Sequence, residues 1–322
     1  MTPPRLLLSC VAEDRPAFHM RVETLVGSAR WLGGSLADSP IVVNLVGSAD
    51  HAFVQRMDAL GAEVRVVQRV THGTVAQANK LRMLEIHDRE DFDVLLAVDC
   101  DIAVADDPAP LVSDNAIGVV PAEMDPFTNA QWVEIFAGLG LERPERSAQA
   151  TMTGQPMYPY FNSGVIAIPR GLCADLFVTW MQALKDLDAL WQRQPKLIPA
   201  RRRFFTEQLG LAVALWRGLP WTVASRELNF ATHVDLHGPT VEGLRPALLH
   251  YHSEADEDGF LYRPRCVIAQ PAADRVNRRR AEALDLVYER LGTPSLGTRA
   301  RRAIEPLKEV VTRRRRALLA RQ

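Results

Sequence analysis

Two aspartates follow a fully apolar run in the segment DFDVLLAVDCDIAV, residues 91–104. Residues 94–98 are apolar at every position, which is typical of a strand covered on both faces, as in a parallel sheet. Ligands of open α/β sheets bind outside the carboxyl ends of such strands, where Asp99 and Asp101 stand. Because residues i and i+2 of an extended chain point the same way, both carboxylates are expected to face one crevice. A divalent cation would offset their repulsion, so the pair predicts an oxygen-ligand metal site. The alternative is that both are ordinary turn residues.

Strand and helix patterns alternate along the first hundred residues, which predicts an α/β fold with a mostly parallel sheet. The predicted strands span residues 5–12, 41–46, 62–67, 94–98, 116–120, 160–168 and 246–252. The predicted helices span residues 17–32, 49–60, 75–88, 171–191, 203–217, 274–291 and 299–320. Residues 138–159 are polar and rich in Pro and Gly, and they predict a loop.

The composition is that of a globular protein, with 322 residues and 47% hydrophobic content. No stretch approaches 18 uninterrupted apolar residues, and no basic stretch precedes an apolar run with a cleavage site. These features lead us to expect a cytoplasmic protein. The cysteines are scattered and lack CxxC spacing, which favours reduced thiols; they are Cys10, Cys100, Cys173 and Cys266.

The net charge of −1 hides an excess of positive charge at the C-terminal end. From residue 274 onward, 14 Arg and Lys residues stand against 6 acids, a balance of +8. Arginines and leucines at helical spacing suit peripheral attachment to anionic lipid, such as the inner membrane surface. A solvated helix and a contact between subunits are the alternatives.

Six segments, taken in order, resemble GT-A fold glycosyltransferases, specifically the glycogenin and bacterial lipopolysaccharide galactosyltransferase group. They are NKLRML (79–84), LLAVDCDIAV (95–104), YFNSGVIAI (160–168), FFTEQLGLAVAL (204–215), LNF (228–230) and LLHYH (248–252). The resemblance implies an α/β catalytic domain over residues 1–270, with a Rossmann-like, mixed, mostly parallel sheet flanked by helices. A basic helical C-terminal extension over residues 271–322 would follow.

The resemblance implies that Asp99, Asp101 and His250 bind Mn²⁺ or Mg²⁺, which holds the diphosphate of a nucleotide sugar. A Lewis-acid cation stabilises the charge that develops on a leaving diphosphate. Carboxylates suit both cations, and an added imidazole favours Mn²⁺. His252 lies two residues further along the predicted strand, so it is a further candidate ligand. Each histidine could instead be an ordinary hydrogen-bonded strand residue.

The same resemblance assigns several residues to the donor. Ala12 and Glu13, at the end of the first strand, take the place of base and ribose contacts. Asn79 and Lys80 precede the metal strand, where the family places a basic residue on the donor phosphates or ribose. Cys100 belongs to the donor-contacting segment, with a side chain expected to point into the fold. Glu13 could instead be a helix-entry residue, and Lys80 a solvated surface residue.

The segments YFNSGV and FFTEQ are expected at the donor sugar. Asn162, Ser163 and Gly164 occupy positions that in the family contact the sugar and mark the acceptor side. Glu207 and Gln208 match an Asp-Gln pair that contacts the sugar and lies near the anomeric centre, with Glu replacing Asp. We therefore assign Asn162, Glu207 and Gln208 as candidate catalytic residues. A β-bulge at Asn162–Gly164 and an ordinary helix acid at Glu207 are the alternatives.

One departure from the family concerns the diphosphate. The group follows its metal histidine with Gly and then Lys-Pro-Trp, whose Lys meets the diphosphate. This chain has HYHSEADEDGFLYRPR at residues 250–265 instead. Arg263 or Arg265 is the candidate replacement, since guanidinium binds phosphate through paired donors.

The predicted function is metal-dependent transfer of a sugar from a nucleotide diphosphate sugar, UDP-linked by preference, to an acceptor hydroxyl with retention of configuration. The acceptor could be a saccharide, a lipid-linked glycan or a protein. Phe127, Trp132 and Tyr158 are candidates for receiving it on aromatic faces. A sugar nucleotidyltransferase is disfavoured because SCVAEDRPAF, at residues 9–18, lacks the glycine-rich loop of that class. A non-catalytic protein that binds membranes or nucleic acid through its basic C-terminus is a further alternative, although we do not expect nucleic acid as a partner.

Overall fold

A computed structural model describes residues 3–70, 76–86, 88–234, 241 and 243–290. The helices and strands, in chain order, are β1 (Leu6–Glu13), α1 (Pro16–Leu32), β2 (Ile41–Val46), α2 (His51–Ala59), β3 (Glu63–Val67), β4 (Val94–Asp99), β5 (Ile102–Val104), β6 (Ile117–Pro121), α3 (Asn129–Leu139), β7 (Ala148–Gln149), β8 (Pro156–Met157), β9 (Phe161–Pro169), α4 (Cys173–Arg193), α5 (Thr206–Trp216), β10 (Trp221–Val223), β11 (Phe230–Ala231), β12 (Leu248–His250) and α6 (Gln270–Arg290).

Seven strands form the main sheet in the order β10-β6-β9-β4-β1-β2-β3. All neighbours run parallel except β9, which is antiparallel to both β4 and β6. This confirms the predicted mixed, mostly parallel sheet. The carboxyl ends of β1 and β4 lie side by side, because Val11 of β1 pairs with Asp99 of β4.

A second sheet of three strands, β11-β12-β5, holds the sequence-distant histidine beside the aspartates. Strand β5 begins directly after Asp101, and β12 pairs with it antiparallel so that His250 lies opposite Ile102. The Tyr251 amide then donates to the Asp101 carbonyl at 3.1 Å. This pairing brings residues 150 positions apart into one site.

Successive side chains of β1 point to opposite faces of the sheet, so β1 contributes to the hydrophobic core on both faces. Leu6, Leu8 and Cys10 pack with residues of α1 and α2 on one face, whereas Leu7 packs with residues of α4 on the other. Strands buried on both faces explain the continuous apolar runs that predicted them.

Several elements differ from the sequence-based prediction. The helix predicted over 75–88 is a 3₁₀ helix, Ala76–Leu84. There, Asn79 Oδ1 accepts from the Val70 amide and Arg82 Nε donates to the Gln68 carbonyl. These side-chain bonds to the preceding segment compete with regular helical structure. Strand 246–252 is shorter than predicted, since β12 ends at His250.

The region around the predicted loop 138–159 contains more structure than expected. Helix α3 precedes it, capped by a reciprocal Thr128–Gln131 capping box, and β7 and β8 form a short antiparallel pair within it. The prediction that Phe127, Trp132 and Tyr158 receive an acceptor is wrong. All three side chains are buried in one aromatic cluster, with Trp132 Nε1 donating to Asp125.

Helix α6 corresponds to the helix predicted over 274–291, and the helix predicted over 299–320 lies outside the described residues. Residue contacts divide the chain into compact units at 1–277 and 278–322, while the domain boundary at 270 stays a prediction. Within the described part of the chain, no helix is long and apolar enough to cross a membrane.

Candidate active site

A cleft of about 440 Å³ opens at the carboxyl ends of β1 and β4, a size typical of small-molecule sites. It contains residues of the segments that the sequence singled out, together with two arginines that it did not, Arg15 and Arg21. The lining residues are Val11, Ala12, Glu13, Arg15, Phe18, Arg21, Val46, Asn79, Lys80, Asp99, Cys100, Asp101, Asn162, Phe204, Glu207, Gln208, His250 and His252.

Asp99, Asp101 and His250 form a cluster whose three ligand atoms all lie within 4.8 Å of one another. His250 Nε2 lies 3.4 Å from Asp101 Oδ1 and 4.0 Å from Asp99 Oδ2. Asp99 ends β4, but Cys100 and Asp101 form a turn, so the expected extended geometry is wrong although the carboxylates do converge. Two carboxylates and one imidazole are a donor set that fits Mn²⁺, or Mg²⁺ with added water ligands.

Opposite charge dominates the electrostatics of this cluster. Burial disfavours the charged forms of Asp101 and His250. The hydrogen bond and charge of His250 nevertheless lower the pKa of Asp101 to about 2. In the same way, burial is outweighed by Asp101 and Asp99, which raise the pKa of His250 above its ordinary value. Asp99 and Asp101 therefore favour the protonated form of the imidazole, and a metal that binds at Nε2 must displace the proton there.

A chain of hydrogen bonds, beginning at a backbone amide, sets the orientation of the His250 ring. The Gly164 N–H can only donate, and it donates at 2.8 Å to Asn162, which assigns the acceptor as Oδ1. Asn229 Nδ2 donates to the same oxygen at 3.1 Å, which turns Asn229 Oδ1 toward His250 Nδ1 at 2.9 Å. An amide oxygen only accepts, so Nδ1 carries the hydrogen and Nε2 is the atom that faces the two aspartates.

Gly164 provides the space that the His250 ring occupies. A Cβ built on Gly164 would lie 2.3 Å from His250 Cε1 and 2.7 Å from Nδ1. The pairing of β9 with β6 is irregular here: Val119 pairs with Ile166, but the next residue, Val120, pairs with Asn162. The bulge alternative is thus correct, and the bulge lies beside the metal cluster, while the role of residues 162–164 at the donor sugar stays a prediction.

Lys80 is half-buried beside the metal cluster, with 15% of its side chain exposed. Its Nζ donates to Asp99 Oδ2 and Ser163 Oγ, each at 2.8 Å, and lies 3.4 Å from Glu207 Oε2. Although burial acts to lower the pKa of Lys80, the charges of Asp99 and Glu207 raise it overall. The solvated-surface alternative for Lys80 is therefore wrong.

Glu207 and Gln208, in the first turn of α5, differ in environment. Glu207 is 3% exposed and accepts from Ser163 Oγ at 3.0 Å, and burial raises the pKa of its carboxyl group. Its Oε1 has no hydrogen-bond partner within the described part of the chain. Gln208 is half-buried, and its Oε1 accepts from the Tyr160 hydroxyl at 2.8 Å. Both residues line the cleft.

The residues predicted to contact the base and ribose also line the cleft. Ala12 is buried, and Glu13 is half-buried with its carboxylate between Arg15 and Arg69, at 3.1 and 2.9 Å. Asn79 also lines the cleft. Cys100 packs in the hydrophobic core as expected, and it also lines the cleft.

Two predicted residues are placed differently from expectation. His252 lies beyond the end of β12 with a left-handed backbone (φ 54°), and its ring stacks on His250 at 3.8 Å. It therefore does not share a strand face with His250. Burial and the neighbouring His250 and His233 lower the pKa of His252 to about 3.

The second is Arg263, which is exposed, donates to Gln270 Oε1 at 2.7 Å, and is absent from the cleft lining. Its neighbour Arg265 is also exposed, 4.0 Å from Glu254. The chain between His250 and these arginines turns back on itself, pairing Ala255 with Leu261, which a linear motif does not reveal.

The positions of Arg21 and Phe204 in the cleft and the role of Asn229 were not predicted from the sequence. Arg21 lies on α1, the helix that follows the end of β1 at Glu13. The charged residues of EDRPAFHMR, at 13–21, were the sequence signal that could have identified it. Phe204 lines the cleft with 62% of its surface exposed. Asn229 was visible only as part of the LNF segment, because its contacts are long-range.

Asn229→Ala is expected to weaken Mn²⁺ binding by roughly 10- to 100-fold, because the acceptor that orients the His250 ring is lost. Asn229→Asp keeps an acceptor for Nδ1–H and should retain more affinity. Mn²⁺ titration followed by electron paramagnetic resonance measures both, and Asn115→Ala in an exposed loop is the matched control. Equal affinity in wild-type protein and Asn229→Ala would contradict the orienting role.

Comparison with known proteins places these observations in a family. The model described as "Rhodobacterales glycosyltransferase domain" matches residues 44–218, more than half of the chain. That span includes Asp99, Asp101, Asn162, Glu207 and Gln208. No curated protein sequence matches the chain.

Solved structures show the same fold. An active-site mutant of LgtC superposes with a TM-score of 0.52 at 15% identity, covering 86% of this chain and 95% of that one. The glycosyltransferase GlyE of Streptococcus pneumoniae TIGR4 gives a TM-score of 0.50 at 16% identity, covering 92% of this chain and 66% of that one. The architecture is therefore that of GT-A glycosyltransferases. With the match over residues 44–218, this chain belongs to the Rhodobacterales glycosyltransferase domain family and is a glycosyltransferase of the GT-A fold.

Proposed function

We propose that this glycosyltransferase is a divalent-cation-dependent hexosyltransferase that takes its sugar from a nucleotide diphosphate donor, UDP-linked by preference. The observation that carries the proposal is the convergence of Asp99, Asp101 and His250 in a cleft at the carboxyl ends of the central strands. Ligand sites of open α/β sheets lie at that edge. Ala12 and Glu13 are the proposed contacts to the nucleoside.

Asp99, Asp101 and His250 would hold Mn²⁺ or Mg²⁺. When bound, that cation supplies Lewis-acid stabilisation of the charge on the departing diphosphate. Lys80 positions Asp99 through a hydrogen bond from its Nζ. Asn229 bonds Nδ1 of His250, and this keeps Nε2 directed at the aspartates.

The residues proposed at the sugar are Asn162, Gln208 and Glu207. Gln208 presents a half-exposed amide to the cleft, while Glu207 is buried behind it among Lys80 and Ser163. In the proposed reaction the bond from the anomeric carbon to the diphosphate breaks. A bond forms to the acceptor oxygen with retention of configuration, and the acceptor proton leaves with the nucleoside diphosphate.

For the acceptor we propose a hydroxyl group of a glycan, free or lipid-linked. The cleft lining includes Phe204, an exposed aromatic residue three positions before Glu207. Sugar rings pack their apolar C–H faces on such surfaces, as apolar groups do on aromatic rings. Contact of the basic C-terminal segment with an anionic membrane is part of this proposal, since it would bring the enzyme to lipid-linked acceptors.

The test is a screen of UDP- and GDP-sugars for Mn²⁺-dependent hydrolysis and for Mn²⁺-dependent thermal stabilisation. At least one donor should respond, and addition of EDTA should remove the response. Proton NMR of the first sugar released reports its anomeric configuration before it equilibrates. If no donor responds to Mn²⁺ in either assay, the proposal is wrong.

A further inference from the structure

One lysine and two arginines line the cleft, and they differ in how many of their N–H donors already have a hydrogen-bond or ion-pair partner. The three N–H groups of Lys80 already face three oxygen atoms, on Asp99, Ser163 and Glu207. Arg15 pairs with Glu13 at 3.1 Å, and its side chain is 66% exposed. Arg21 is the third, and its position is different.

Arg21 lies on the second turn of α1, beside the metal cluster. One guanidinium nitrogen, Nη1, is 3.7 Å from Asp101 Oδ2, which is an ion pair beyond hydrogen-bonding distance. The side chain is only 23% exposed, and the guanidinium carbon lies 5.5 Å from the centre of the Phe18 ring. Phe18 and Asp101 thus hold the guanidinium at the cleft, with donors that form no hydrogen bond to any described residue.

A diphosphate bound at the metal cluster would carry negative charge that the cluster does not fully balance, so a further cationic side chain is needed beside it. Asp99, Asp101 and Glu207 carry three negative charges, and Lys80 carries one positive charge. A divalent cation would make this group neutral, whereas a sugar-linked diphosphate carries two negative charges. The guanidinium of Arg21 offsets one of those charges and supplies the paired donors that match phosphate oxygens.

We infer that Arg21 binds the diphosphate of the donor, in the role for which the sequence suggested Arg263 or Arg265. The inference rests on the proposed function, since it requires a diphosphate at the metal cluster. Both alternative arginines are exposed and point to partners outside the cleft. Arg21 reaches the same place from the N-terminal side of the chain, through α1.

Arg21→Ala should weaken nucleotide binding without weakening metal binding. Arg21 repels a cation bound at Asp101, so its removal leaves Mn²⁺ affinity unchanged or raises it. Loss of a charged hydrogen-bond donor lowers affinity for the diphosphate by roughly 10- to 100-fold. A collapsed site would instead lose metal and nucleotide together.

Isothermal titration of the full-length protein with UDP and GDP in saturating Mn²⁺, and with uridine and guanosine, tests this. In Arg21→Ala we expect weaker diphosphate binding, unchanged nucleoside binding and undiminished Mn²⁺ binding. Arg21→Lys should recover part of the loss, because an ammonium keeps the charge but not the paired donors. The matched control, Arg263→Ala, should bind UDP and GDP as the wild-type protein does.

Two results would overturn the assignment of Arg21. One is diphosphate affinity in Arg21→Ala equal to that of wild type; the other is a parallel loss of nucleoside and Mn²⁺ binding. If wild-type protein binds neither diphosphate in the presence of Mn²⁺, the proposed donor itself is wrong, and the role of Arg21 is overturned with it.

Discussion

Asp101→Asn is expected to abolish Mn²⁺-dependent turnover of the nucleotide sugar while leaving the protein folded. Asn has the same shape but offers a neutral amide, so one of two charged ligands is lost. Loss of a residue that hydrogen-bonds a metal ligand typically lowers metal affinity or activity 10- to 100-fold, and loss of the ligand itself should lower them more than about 100-fold. The fold should survive, because Asp101 lies in a turn and its carboxylate is not part of the hydrophobic core.

The measurements are Mn²⁺ titration, turnover of the donor found in the screen, and thermal unfolding without metal. Asp106→Asn is the matched control, since Asp106 is exposed just beyond β5 and its carboxylate accepts from the neighbouring Asp107 amide. Unfolding of the Asp101→Asn protein at ordinary temperature would instead assign Asp101 a structural turn role. Normal Mn²⁺ affinity in this variant would remove Asp101 from the metal site.

Gly164→Ala is expected to destroy the same site through shape alone. The added Cβ would lie 2.3 Å from His250 Cε1 and 2.9 Å from Asn162 Oδ1, closer than real carbon contacts allow. The His250 ring cannot simply turn aside, because it bonds Asn229 on one side and stacks on His252. We therefore expect loss of Mn²⁺ binding and a destabilisation of about 1–3 kcal/mol, typical of overpacked sites.

Mn²⁺ titration and thermal unfolding measure both effects. Gly171→Ala is the control from the same region, because a Cβ at Gly171 would meet nothing within 4 Å. That variant should keep wild-type metal affinity and stability. If Gly164→Ala binds Mn²⁺ normally, His250 does not need its observed position, and its assignment as a ligand fails.

The strands of the central sheet could be read from the sequence because burial on both faces leaves a local signature. Residues 41–46 were predicted as a strand with the bounds that the structure shows, and β4 was predicted to within one residue. The continuous apolar run of β4 also marked the sheet edge at which Asp99 lies. The direction of β9 could not be predicted in this way, since parallel and antiparallel strands carry the same apolar pattern when both faces are buried.

The aromatic residues near the cleft show the limit of local patterns most clearly. Tyr158 stands in the polar stretch predicted as a loop and Trp132 shortly before that stretch, yet both pack in a buried cluster with residues of α4 and α5. Phe204, within a segment of three arginines, is instead exposed at the cleft. Burial of a side chain depends on what packs over it, and those partners are distant in sequence.

By itself, the sequence determined the α/β strand pattern and the pair of aspartates at a strand end, and motif resemblance added His250. These are properties of short segments or of their order. Only the tertiary structure decided that β12 pairs with β5, that Gly164 makes room for His250, and that Asn229 orients its ring. It also decided that Arg21, rather than Arg263, lies beside Asp101. Each of these depends on contacts between residues far apart in the chain, whose distances are set by sheet pairing and packing rather than by local sequence.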